Sequence, residues 1–334
     1  MPSRRSFLLG SLAVAGVSGL ARLDGLTQSR DRQARSRRVF AAGPPAAVLV
    51  YVLSPEALVG WPSRLDDAAL GMLGSPARDL PVVGRLAGRG STVPLESLVQ
   101  MKPDFVLDVG AVDATHASMA ERVRAQTGLR YELLDGRLAD SAALLRRVGT
   151  LLDVPARAEQ LARTADRLAS DVSSSRARRS STRVYLARGV DGLETGLRGS
   201  INVEVVEFVG AQNVAAAAGA GSLTRASLEQ VLAWDPDVIL TQDPRFARTA
   251  LADPVWRTTR AARERRVWCA PTLPFGWLDG PPGINRLIGA LWLARRIDGA
   301  ALAAIRDDVR TFYDSFYRVT LSSADLDRLL AEAA

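Results

Sequence analysis

The sequence predicts an α/β protein of two Rossmann-like lobes with mostly parallel sheets, joined by one long interlobe helix. Three observations carry that prediction. The first is a segment written twice. Leu95-Glu96-Ser97-Leu98-Val99 leads into Lys102-Pro103-Asp104-Phe105-Val106-Leu107, and Leu228-Glu229-Gln230-Val231-Leu232 leads into Asp235-Pro236-Asp237-Val238-Ile239-Leu240. Each copy reads as a helix with an exposed Glu, a Pro-Asp turn and a buried strand of a parallel sheet. The second is a repeated alternation of short apolar runs and helical stretches on both sides of the chain's middle. The third is one apolar stripe between the two halves, carried by Ala158, Leu161, Ala162, Ala165, Leu168, Ala169 and Val172 at spacings of three and four.

In order along the chain, Arg38–Ala42 predicts a strand that Gly43-Pro44-Pro45 breaks, and 46–53 a helix. Strands are expected at Leu58–Trp61, Pro81–Val83, Phe105–Val109 and Tyr131–Leu134, with helices at 66–73, 94–101, 115–126 and 139–152. Residues 38–154 therefore form a first lobe. Pro155 opens the helix at 155–178, where about twenty residues at ~1.5 Å each reach ~30 Å, enough to cross between lobes. Its exit, 173–182, is rich in Arg and Ser. A strand at Arg183–Ala187 starts the second lobe, 179–334, and Ile284–Ile297 reads as an apolar helix that buries Trp292. A single stiff crossing resists hinge bending, so closure of the lobes is expected to be modest.

Residues 1–37 read as a leader and linker. Ser3-Arg4-Arg5-Ser6-Phe7-Leu8 precedes a weakly apolar run from Leu8 to Leu20. A twin arginine before so short a core resembles a twin-arginine export signal, because the run is too short to span a bilayer; an uncleaved anchor is the alternative. Residues 1–38 hold eight Arg against two Asp, six of the chain's seven net positive charges. The remainder is nearly neutral, and a nucleic-acid reading from the overall charge is excluded: no basic stripe with interleaved aromatics follows. Cys269 and His116 are the only residues of their kinds. An internal disulfide, a Cys/His zinc site and a triad with spare histidines are thereby ruled out. His116 reads as a surface or capping-region residue at a helix start, with contact to a ligand as the lesser alternative.

In this setting the chain resembles the periplasmic substrate-binding proteins of ABC importers that carry ferric siderophores, haem and cobalamin, the class with one rigid interlobe helix. The resemblance spans 38–298. It rests on the paired Leu-Glu…Pro-Asp segments, Val83-Gly84, Gly192-Leu193-Glu194-Thr195-Gly196 with Ser200-Ile201-Asn202, and Gly210-Ala211-Gln212-Asn213-Val214. Phe275-Gly276-Trp277-Leu278-Asp279-Gly280-Pro281-Pro282 with Asn285-Arg286 completes it. It implies a monomer that docks on an ABC permease with its ATPase through one glutamate per lobe, here Glu96 and Glu229. Solvating a helix face is the plainer role for either residue. No cofactor, metal ligand or catalytic residue is implied.

Ligand groups are expected at the carboxyl ends of strands, where open parallel sheets leave a crevice. That nominates Gly43, Pro44, Pro45, Trp61, Arg85, Arg89 and Asp108 in the first lobe, and Arg188, Glu194, Asp243, Trp277 and Asp279 in the second. Gly43-Pro44-Pro45-Ala46 places a helix N-terminus there, for an anion or as ordinary capping. Arg188 offers a planar fork to an oxyanion or carboxylate, or else an interlobe ion pair. Trp277 either stacks on a ligand or plugs the base of its lobe. Scarce imidazole and thiol disfavour a bare transition metal. A metal chelate therefore leads, and a small oxyanion such as molybdate or tungstate is the rival. The competing classes are an exported enzyme using Asp108 with Asp191 or Glu194, and a receptor that senses without import.

Overall fold

The computed structural model describes residues 37–87 and 90–331. The export segment and Arg89 lie outside them. Among the described residues no helix is long and apolar enough to cross a membrane.

The first lobe holds β1 (Val39–Ala41), β2 (Phe105–Gly110) and β3 (Tyr131–Asp135), parallel and in the order β1-β2-β3. Val39 to Ala41 and Phe105 to Val109 are buried throughout, the continuous apolar run expected of a parallel strand covered on both faces. The segments at 58–61 and 81–83 form only isolated bridges, Val39 to Leu58 and Trp61 to Val82. Pro62 and Pro81 carry no N–H, so a longer ladder lacks its donors there.

The second lobe contributes β4 (Arg183–Leu186), β5 (Glu194–Gly196), β6 (Gln212–Asn213), β7 (Leu223–Arg225), β8 (Val238–Thr241) and β9 (Val267–Cys269). Four of them form a parallel sheet in the order β6-β4-β8-β9, while β5 and β7 pair antiparallel.

The duplicated segment folds twice into the same local structure. Helices Leu95–Gln100 and Leu228–Trp234 each end at a residue forced to positive φ before a proline, Lys102 at 49° and Asp235 at 34°. Asp104 accepts from the Arg38 backbone N–H at 2.8 Å, and Asp237 from that of Arg183 at 2.9 Å. The same two arginines send their guanidinium groups to the carbonyls of Met101 and Trp234. Each copy thus staples its helix to the first strand of its own sheet, and the two sheets are separate.

Helix Pro155–Ser173 packs along helix Ser141–Leu151 and against helix Arg286–Ile297. Its 19 residues rise about 28 Å. Six of the seven stripe residues are buried, Ala169 only partly. Gly149 makes the close approach possible, since a Cβ there would stand 2.1 Å from that of Ala158. The helix stops at Ser173 rather than 178, and the Arg-rich exit is not all solvated. Arg179 is buried, bonds the Val172 and Val209 carbonyls and pairs with Asp298 at 2.7 Å. The C-terminal segment returns to the first lobe, where Arg318 bonds the Tyr51 and Leu53 carbonyls at the end of helix Pro44–Leu53.

Candidate functional site

Both sheets point their strand carboxyl ends at one cleft of about 500 Å³. β1 delivers Gly43, Pro44 and Pro45. β2 delivers Asp108 to Ala111, β4 delivers Arg188, and the loop after β9 delivers Asp279, Pro281 and Pro282. Arg85, His116, Asn202 and Ser222 add to its polar lining.

Arg188 is the most constrained cation. It pairs with Asp279 through Nε and with Glu194 through Nη1, all three in the second lobe, so the interlobe ion pair is not made. Glu194 stands behind Arg188 rather than in the cleft wall. Asp279 also accepts from Asn202 Nδ2 and Gln242 Nε2, each at 3.1 Å. Burial pushes the Asp279 carboxyl above its ordinary range, while Arg188 and Asn202 pull it down. Across the cleft, buried Asp108 accepts from the Tyr131 hydroxyl at 2.9 Å. Desolvation raises this carboxyl too, against the lowering effect of that hydrogen bond and of His116.

His116 lies in the capping region of its helix and also lines the cleft. Asp113 caps helix Ala114–Thr127, accepting from the His116 backbone N–H at 3.0 Å, and its carboxylate lies 2.8 Å from His116 Nδ1. That bond holds the ring at the cleft wall. Arg85 is placed by a 3.2 Å bond from its Nε to the Gly90 carbonyl.

The helix N-terminus offers less to an anion than its position suggests. Pro44 and Pro45 have no N–H, and the Ala47 N–H bonds Gly43 O at 3.1 Å, leaving Gly43 and Ala46 as donors. Trp277 is not a cleft residue. It is fully buried, packs edge-on against Trp292 and donates to the Tyr313 hydroxyl at 3.1 Å. Its flanking glycines and prolines shape the loop, not a stacking surface. The backbone of this loop lies so close to helix Arg286–Ile297 that a Cβ on Gly289 would fall 1.8 Å from the Trp277 carbonyl oxygen. Trp61 is buried as well and faces a different cavity, described below. Asp243 caps helix Pro244–Ala252 and pairs with Arg245, whereas its neighbour Gln242 reaches Asp279.

Of the carboxylates that an enzyme reading would pair with Asp108, Asp191 pairs with Arg225 and Glu194 with Arg188. Among the described residues no three Asp, Glu, His or Cys cluster to hold a metal ion. The lining presents fixed donors and acceptors of both charges, a set chemically suited to a polar solute. Glu96 and Glu229 are exposed in the first turns of their helices, and among the described residues neither enters an ion pair.

Reading the sequence alone missed Gln242, Tyr131 and the pair of Glu204 with Arg286. That pair joins the lobes. Buried Arg286 bonds Glu204, the Ile201 carbonyl and, in the first lobe, the Gly136 carbonyl. Glu204 in turn accepts from the first-lobe Leu138 N–H at 2.9 Å. A signal did exist for one partner, because Arg286 follows Pro281-Pro282 and opens an apolar helix, an unusual place for a charge.

A family model described as periplasmic binding protein matches residues 73–272. The molybdate-binding protein MolA of Haemophilus influenzae is 34% identical over 161 residues, 47% of this chain and 43% of that relative, so the match spans less than half of the relative's length. An ABC transporter solute binding protein from Sulfurospirillum deleyianum has a similar solved structure, with TM-score 0.78 and 25% identity over 89% of this chain and 95% of that one. The molybdate-bound MolA structure from Haemophilus influenzae is similar at TM-score 0.63 and 23% identity, over 86% and 94% of the two chains.

Proposed function

The chain belongs to the periplasmic binding protein family, and from that premise we propose that it captures a metal chelate in the cleft and presents it to an ABC permease through Glu96 and Glu229. Proteins of this type work with an ABC permease and its ATPase. The finer reading is carried by the state of Arg188. The cation best placed for an anion is already neutralised by Glu194 and Asp279. Displacing Asp279 would leave a buried carboxylate without its counter-charge, at a cost of several kcal/mol. A chelate with hydrogen-bonding groups of both senses meets this lining without breaking it. The cleft, at about 500 Å³, is also of the size that encloses an organic ligand.

A second reading, molybdate or tungstate, draws support from the identity with MolA. It requires Arg188 to leave its carboxylates, or Arg85 with the Gly43 and Ala46 N–H groups to suffice. Isothermal titration of the purified chain with ferric citrate, ferric tris-catecholate and sodium molybdate decides between them. Saturable binding of molybdate alone refutes the chelate.

Docking is tested separately. Glu96→Ala with Glu229→Ala abolishes uptake in cells and leaves ligand affinity unchanged; unchanged uptake refutes the docking role and favours a sensor. We propose export by the twin-arginine route, so Arg4→Lys with Arg5→Lys retains the protein in the cytoplasm. The monomeric state is read from sedimentation of the processed protein.

A further inference from the structure

Pro44 and Pro281 stand in the walls of two cavities, one being the polar cleft. The other encloses about 450 Å³, with Ala47, Val48, Trp61 and Leu65 on the first-lobe side and Phe275 on the second. Protein interiors pack to crystal-like density and leave few voids larger than a water molecule. This space is far larger than such voids, opens at a polar rim, and is lined by Trp61 and Phe275, whose rings touch with centroids 6.1 Å apart.

We propose that this chamber is a second ligand compartment, taking an aromatic or alkyl arm of the same molecule whose polar head occupies the cleft. The inference rests on the chelate reading above and narrows it to an amphipathic chelate. Three observations support it. The chambers share walls, and Gln242 links them: its side chain lines the apolar one while its amide donates to Asp279 in the polar one. A group held by Asp279 would therefore lie one residue away from the apolar chamber.

The aromatic wall is also held rigid from behind. Trp61 donates from Nε1 to the Ala77 carbonyl at 2.9 Å and packs on Tyr51 with ring centroids 5.3 Å apart. Its other neighbour, Phe275, sits at 6.1 Å and is backed by Tyr317 at 5.7 Å. A ring fixed in place loses little freedom when a ligand packs on it, which favours binding. Finally, the charges lie at the rim. Arg64 and Asp66 are exposed, so an arm can enter without stripping a charge of water.

The test fills the chamber from its rim. Thr272 is exposed and Ser63 half-buried, and both line the chamber outside the core, so Thr272→Trp and Ser63→Trp are chosen to fill the space without replacing a core residue. Titration with 8-anilinonaphthalene-1-sulfonate, read in the unaltered and the filled chains, probes the chamber without any chelate present. The unaltered chain is expected to bind one dye with enhanced emission, and either variant to weaken it by at least about tenfold while melting at the same temperature. Ferric tris-catecholate is expected to lose affinity by a similar factor in the filled variants, and ferric citrate, which has no aromatic surface, to be unaffected. Unchanged dye binding in both folded variants overturns the chamber as a site. Equal catecholate binding before and after filling overturns its role for the cargo and leaves the chelate reading standing. Failure of both chelates to bind at all, with the dye response intact, refutes the chelate reading and this assignment together.

Discussion

Replacing Arg286 by Met tests how the lobes are held together. Arg286 is 1% exposed, and its guanidinium serves four oxygen atoms: the Glu204 carboxylate and the carbonyls of Ile201, Gly283 and Gly136. Methionine keeps the apolar stem and removes every donor. Glu204 would keep the Leu138 N–H but lose its counter-charge, and three carbonyls would be left facing an apolar side chain. Removing one partner of a buried ion pair costs about 3–5 kcal/mol, chiefly because the other charge stays behind unpaired. Urea unfolding monitored by tryptophan fluorescence should show that loss, and Glu204→Gln should cost a comparable amount, because it leaves the buried Arg286 without its counter-charge. The double variant Arg286→Met with Glu204→Gln should recover part of the difference, giving a coupling of about 0.5–3 kcal/mol. A loss below about 1 kcal/mol for Arg286→Met, or strict additivity, would refute the claim that this pair locks the lobes.

Three further outcomes follow from the geometry. Asp108 has its carboxyl raised by burial, so the folded state holds a proton that the unfolded chain has released; stability falls as pH rises from the ordinary carboxylate range through the folded value. Asp108→Asn keeps an acceptor for Tyr131 and should flatten that slope in urea midpoints measured across mildly acidic pH. Glu159 behaves in the opposite sense: hydrogen bonds from Arg146 and Arg163 lower it to about 2, so its contribution is present above the ordinary carboxylate value and disappears as pH falls toward about 2. Because the group is partly exposed at the surface, raised salt should weaken the effect, which NMR titration of its side chain would follow. Gly289→Ala, a change that gains about 1 kcal/mol in an open helix, should instead destabilise by about 1–3 kcal/mol in thermal melts, since the new Cβ meets the Trp277 carbonyl.

Much of the architecture was written locally. The stripe from Ala158 to Val172 announced the interlobe helix because a periodic apolar face needs no knowledge of its partner. The two Leu-Glu…Pro-Asp segments announced two lobes for a related reason: helix, turn and strand lie within a dozen residues of one another. Even the stapling by Asp104 and Asp237 repeats with the motif. The strands at 58–61 and 81–83 were legible as extended chain but not as ladder, because prolines withheld the donors.

The amino-acid order by itself therefore determined the two sheets, the crossing helix and the ring of strand ends that lines the cleft. It named Arg188, Asp108 and Asp279 as cleft residues on that ground. Only tertiary structure decided what those residues are free to do. Arg188 meets Asp279 across 91 positions of sequence, Arg286 meets Glu204 across 82, and Trp277 meets Tyr313 across 36. A side chain's charge and size are fixed by its identity, but its partners are fixed by which distant segments pack beside it. That is why an arginine readable as an anion receptor emerged as a neutralised strut, and a loop tryptophan as core.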